Sequence, residues 1–118
     1  MILVDTSVWV DHLRHPKPRL VDLLEAAEVA CHPFIIGELV LGNLSPRSEV
    51  PSLLVDLPVV ALAEHGEAMS FVSRNSLAAS GIGWVDVHLL CSAALSHAPI
   101  WTLDRRLASI AARLGLAA

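Results

Sequence analysis

Lysine occurs once in these 118 residues, at Lys17, and the only cysteines are Cys31 and Cys91, each isolated in the chain. A phosphorelay receiver domain has this length and an acid after its first strand, but needs a lysine at its last strand. Lys17 lies near the opposite end, and that class falls. With no C-x-x-C and no second cysteine pair there is no zinc knuckle, and two buried, reduced thiols are expected. The six histidines are scattered without H-E-x-x-H, so Asp11 and His15, four apart, read as a solvated helix end rather than a zinc pair. A phosphatase of the D-x-D type would want an acid at position 7, where Ser7 stands. No stretch of ~20 apolar residues runs free of charges or breakers, which argues against a membrane span. Met1 leads through a short apolar run to an acid at position 5, unlike a signal peptide, and a cytoplasmic protein is expected.

What the chain does have is apolar bulk, with 54% hydrophobic and 17% charged residues. A chain of this length fits one domain, 1–118, burying roughly two thirds of its unfolded surface. Short apolar stretches alternate with helical ones, the signature of an α/β domain with a largely parallel sheet. Strands are expected at Ile2–Val4, Val29–Cys31, Pro58–Ala61 and Ile100–Leu103. Thr6 or Ser7 is placed to cap a first helix reaching Arg14; Pro16 and Pro18 break it, and Arg19–Ala27 resumes. Further helices are expected at Pro33–Leu44, from Ser45-Pro46 toward Asp56, at Glu64–Ala79, from Val85 or Asp86 to His97, and at Asp104–Leu114 with Gly115 as C-cap. No internal repeat or linker interrupts the pattern.

Four carboxylates occupy unexpected places. Asp5 ends Met1–Val4, Glu38 lies within Phe34–Leu41, Asp86 interrupts Ile82–Leu90, and Asp104 closes Pro99–Leu103. Acids are seldom fully buried unless paired. At ~4 Å and an effective dielectric of ~20, two carboxylates repel by about 4 kcal/mol. A divalent cation reverses that sign, and Mg²⁺ or Mn²⁺ takes oxygen ligands while keeping waters, so a few carboxylates suffice. Asp5 and Asp104 fall at strand carboxyl ends, where open α/β sheets place ligands. Either acid could serve merely as a helix cap, and Glu38 could belong to a solvated stripe. A mid-helix acid cannot be a cap, however, and the set of four points to a shared metal site.

Net charge is −4, but without these four acids the remaining eight balance the eight Lys plus Arg. Seven of the eight cations are Arg, suited to bidentate phosphate contact, so a nucleic-acid substrate is permitted. The densest cationic segment, Arg14, Lys17 and Arg19, is expected to contact an RNA backbone, and Arg105 and Arg106 could hold phosphate or balance the acids. Trp9 and Trp101 are expected in the core. Trp84, before Asp86, is expected to pack, with base stacking as the alternative.

The motifs Val4-Asp5-Thr6-Ser7-Val8-Trp9, Ile36-Gly37-Glu38-Leu39-Val40-Leu41-Gly42, Asp86 after a glycine-containing turn, and Thr102-Leu103-Asp104-Arg105-Arg106-Leu107 resemble the PIN domain, most closely the VapC-like toxins of type II toxin–antitoxin pairs. The resemblance spans essentially the whole chain in the right order. It implies a three-layer α/β/α fold with a central, mostly parallel sheet of four or five strands. It implies an endoribonuclease with Asp5, Glu38, Asp86 and Asp104 around Mg²⁺ or Mn²⁺, cutting by metal-activated water to leave a 5′-phosphate and a 3′-hydroxyl. Thr6, Ser7 and Thr102 would orient the acids. A homodimer and a VapB-like antitoxin that inserts a segment, often with an arginine, are implied too. The alternatives are a non-catalytic interaction module of the same fold and a PIN nuclease of housekeeping RNA processing. Because the sequence ends at Gly115–Ala118, the family's usual last edge strand is expected to be short or missing.

Overall fold

The computed structural model describes residues 1–42 and 50–118. Its centre is β1 (Ile2–Val4), flanked by β2 (Val29–Ala30) on one side and β3 (Ile100–Trp101) on the other. Both pairings are parallel, with Ile2 opposite Val29, Leu3 opposite Ala30 and Ile100, and Val4 opposite Trp101. Leu3, Val4, Val29, Ala30 and Ile100 are all buried, as the unbroken apolar runs of a covered parallel sheet require. The chain leaves β1 toward β2 and later returns to β1's other side as β3. This order makes the carboxyl ends of β1 and β3 the switch point at which such sheets open a crevice.

Against the four or five strands expected, three form among the described residues. The outer two positions shrink to isolated parallel bridges, Cys31 with Val59 and Ile100 with Ala117. Around Val59 the Cys31 amide donates to the Pro58 carbonyl at 2.8 Å and the Val60 amide to the Cys31 carbonyl at 3.1 Å. Pro58 has no N–H to extend that ladder, so Pro58–Ala61 is not a strand. The last edge is likewise reduced, to Ile100 N–H donating to Leu116 and Ala118 N–H to Ile100.

Among the described residues seven helices accompany the strands: α1 (Thr6–Arg14), α2 (Pro18–Glu25), α3 (Pro33–Leu41), α4 (Val50–Val55), α5 (His65–Arg74), α6 (Trp84–Ser96) and α7 (Arg105–Arg113). Pro18 and Pro33 sit in the first turns of α2 and α3, where a missing N–H does no harm. The expected extension of α3 to Leu44 and the helix opening at Ser45-Pro46 lie outside the described residues, and α3 itself reaches its C-cap at Gly42. Helix α5 stops at Arg74 rather than Ala79. Ser76 adopts φ +53°, the Leu77 amide donates back to the Val72 carbonyl at 3.0 Å, and Leu77 is buried. These are the marks of a Schellman stop. The same return closes α2 (Glu28 to Leu23) and α7 (Leu116 to Ala111), the latter through Gly115 at φ +72°.

Helix α6 is buried from Val87 to Ala93, as a helix apolar nearly all round should be. Helix α7 has one apolar face, with Leu107, Ile110 and Ala111 buried. Leu107 is fully buried in the core, and its amide also caps the helix by donating to Asp104 Oδ1 at 3.0 Å. Leu107→Ala should therefore lower unfolding free energy by about 2–5 kcal/mol, measured as a fall in the urea midpoint with unchanged slope. A loss below about 1 kcal/mol would contradict the packing described.

Candidate active site

Asp5 follows β1 directly and is buried. It holds the N-cap position of α1, yet its carboxylate makes no cap bond, and neither Thr6 nor Ser7 is the cap expected there. All three side chains are engaged elsewhere. Ser7 Oγ donates to Asp5 Oδ2 at 2.8 Å, and Thr102 Oγ1 donates to the same oxygen at 2.7 Å. Each hydroxyl oxygen in turn accepts a backbone amide from the β3–α7 loop, Leu103 N–H on Ser7 at 2.9 Å and Asp104 N–H on Thr102 at 3.1 Å. Among the described residues Oδ1 of Asp5 receives no hydrogen bond, which leaves it to a ligand.

Thr6 Oγ1 donates to Glu38 Oε1 at 2.8 Å, tying α1 to α3. Glu38 is exposed despite its apolar neighbours, and so is Asp104, so the convergence of these acids is not one of burial. Asp104 does cap α7, through Oδ1. Asp86 is the third residue of α6, whose N-cap is Gly83, two residues earlier than the helix start expected.

Asp86 ties the group together. Its carboxyl is pushed up to about 6, first by burial and then by the negative charges of Asp5, Asp104 and Glu38, with a backbone hydrogen bond from Gly83 opposing. Three acids from three other segments thus act on the fourth, and all share one electrostatic neighbourhood. Among the described residues no three or more Asp, Glu, His or Cys side chains are gathered closely enough to hold a metal ion. Like charges without a counter-ion stand apart, and Mg²⁺ does not need a closed protein cage because it retains waters.

Beside Asp86 and Asp104 opens a cleft of about 800 Å³, lined further by Ser80, Gly81, Arg105, Arg106 and Arg113. Arg106 Nη1 donates to the Gly81 carbonyl at 3.1 Å. Gly81 has φ +87°, a conformation that L side chains rarely adopt and that favours glycine, and a Cβ there would also lie 2.6 Å from the movable Arg106 Nη1. Arg113, whose Nη2 also holds the Asn75 carbonyl at 3.0 Å, is a cleft residue that the sequence motifs do not single out. It stands seven residues after Arg106, on the same face of α7, and that spacing is the available signal.

The Arg14–Arg19 segment is placed differently. Lys17 Nζ pairs with Asp11 at 2.6 Å, and this partnership lowers the Asp11 pKa. Arg19 lies 4.5 Å over the Trp101 ring, and Trp101 is half-buried rather than core. Arg14 is exposed, and none of the three lines the cleft.

The Asp86 shift has a defined sign. Between pH 3.8 and about 6 the folded state retains a proton that the unfolded chain has released. The contribution of Asp86 to stability therefore falls as pH rises through that window. His32 runs the other way, because burial and the His88 charge hold it down to about 4 and its contribution falls as pH drops. Replacing Asp86 by Asn isolates the first effect. In EDTA, the variant's stability advantage over wild type should grow from about pH 4 to about pH 7, read from paired urea unfolding curves. A difference independent of pH would contradict the clustering.

Residues 2–113 match the PIN domain family. The chain is also similar to the protein named ribonuclease VapC32 in two strains of Mycobacterium tuberculosis, CDC 1551 and H37Rv. Identity to each is 46% over 118 residues, covering 99% of this chain and 95% of the relative. Since the family match and the identity both run nearly the full length, the chain belongs to the PIN domain family.

Proposed function

We propose that the protein is a metal-dependent endoribonuclease acting as the toxin of a type II toxin–antitoxin pair. The observation that carries the reading is the single electrostatic focus on Asp86, created by Asp5, Asp104 and Glu38. An all-carboxylate donor set fits Mg²⁺ or Mn²⁺ better than softer metals, and those four acids would hold the ion. Bound there, the ion supplies Lewis acidity that activates water and offsets charge on the phosphodiester.

The chain's own residues do the rest. Ser7 and Thr102, both donating to Asp5 Oδ2, hold its carboxylate in one orientation. Thr6 does the same for Glu38. Arg105, Arg106 and Arg113, which line the cleft together with Asp86 and Asp104, bind the flanking phosphates. The name ribonuclease VapC32 borne by the relatives supports RNA as substrate. On the same reading a VapB-like antitoxin and a second copy of the chain are partners. Exposed Val40, Leu41, Leu53 and Val55 on α3 and α4 give such partners apolar surface to cover. Among the described residues no helix is long and apolar enough to cross a membrane.

Incubation with structured RNAs should give cleavage in Mg²⁺ that EDTA stops. Asp5→Asn and Asp86→Asn should each abolish it with the fold intact, and Thr102→Val should reduce it about 10–100-fold. Activity retained in both Asn variants would sink the assignment, and no metal-dependent cleavage by the wild type would leave a non-catalytic module. For binding, Arg105→Gln and Arg113→Gln should each flatten the logarithmic salt dependence, by about 0.7 for every single-strand phosphate that is no longer neutralised. Lys17→Gln, whose charge Asp11 already answers, should leave that slope unchanged.

A further inference from the structure

The chain has five Phe and Trp residues. Trp9 and Phe71 are buried, and Trp101 is roofed by Arg19. The other two, Trp84 and Phe34, are 42% and 40% exposed, and both contact one buried histidine. The Trp84 and His88 ring centroids are 4.9 Å apart at 84°, and those of Phe34 and His88 are 5.2 Å apart at 63°. His65 adds a tilted contact to Trp84 at 5.5 Å. His32 backs Phe34 at 4.8 Å and fixes it by accepting its amide on Nδ1. In a T-shaped pair one ring presents its edge, so His88 covers at most one face of the indole.

The position of this shelf matters as much as its exposure. Phe34 lies one helical turn before Glu38 on the same side of α3, and His88 joins it to Trp84, one turn away on α6. The shelf therefore borders the site on the Glu38 side. We infer that Trp84, His88 and Phe34 form a stacking shelf for an unpaired nucleobase beside the phosphodiester to be cut. The inference rests on the ribonuclease reading above and deepens it. Every base offers a π face to an aromatic ring, and a splayed, unstacked base is what single-stranded RNA provides and a duplex does not. A protein partner is better served by the aliphatic side chains of Val40, Leu41, Leu53 and Val55. The Trp84 ring packs on His65 and His88, as expected, and its remaining exposure is what the stacking alternative requires.

Binding of oligo(A), oligo(C) and oligo(U) to the Asp5→Asn protein in Mg²⁺ tests this, with Trp84→Ala and Trp84→Phe added to that background. Trp84→Ala should weaken binding roughly 5- to 150-fold, the range for removal of one base–aromatic stack. Trp84→Phe should recover most of that affinity, and the salt dependence should stay as it was, because every phosphate remains neutralised. Tryptophan emission of the parent should be quenched by the oligonucleotides, and the quenching should vanish in Trp84→Phe, which keeps Trp9 and Trp101. That measurement stands even where Trp84→Ala fails to fold. Unchanged affinity and persistent quenching would overturn the shelf while leaving the nuclease intact. A loss of affinity that tracks a fall in molecular mass would assign the rings to a protein interface and overturn it too. Failure of the wild type to bind or cut any RNA would remove the underlying reading instead.

Discussion

Two hydroxyl groups converging on one oxygen of Asp5 hold the functional end of this molecule together. Ser7 comes from the first turn of α1 and Thr102 from the end of β3, and both also accept amides of the loop that starts α7. The strand pair, the first helix and the last helix are thereby fixed to a single buried carboxylate. The parallel register between β1 and β3 brings the two strand ends level so that this network can close.

Around that anchor the site is built from opposition. Asp86 carries the electrostatic load of the other three acids, while the arginines of α7 line the adjoining cleft. Most of the arginines do not neutralise the acids through ion pairs; Arg106 and Arg113 are fastened to backbone carbonyls of Gly81 and Asn75 instead. Carboxylates and guanidinium groups thus line one cleft, which suits a substrate whose phosphates need cations and whose cut bond needs a metal.

Much of this was legible in the sequence because each acid followed or interrupted an apolar run. The α/β class, the strand-end position of Asp5 and Asp104 and the hydroxyl partners Thr6, Ser7 and Thr102 all came from local pattern and motif. Burial did not follow so simply, since Glu38 is exposed on an apolar helix that is not covered on every side. Nor did the end of α5, where a serine rather than a glycine takes the left-handed conformation. Long-range geometry hid the rest: Arg113 joins the cleft only because α7 packs beside Gly81. Lys17 drops out of the expected cationic segment because Asp11 lies one helix end away.

The sheet edges have a consequence of their own. A parallel strand left open offers unpaired amides and carbonyls to any extended chain that drifts past, and such edges seed aggregation. Here each edge is closed by a single bridged residue, Val59 on one side and Ala117 on the other, with Pro58 lacking an amide next to the first. A visiting strand would find too few free groups to register against. The small sheet is protected by truncation, and β1 stays at its centre with neighbours on both sides.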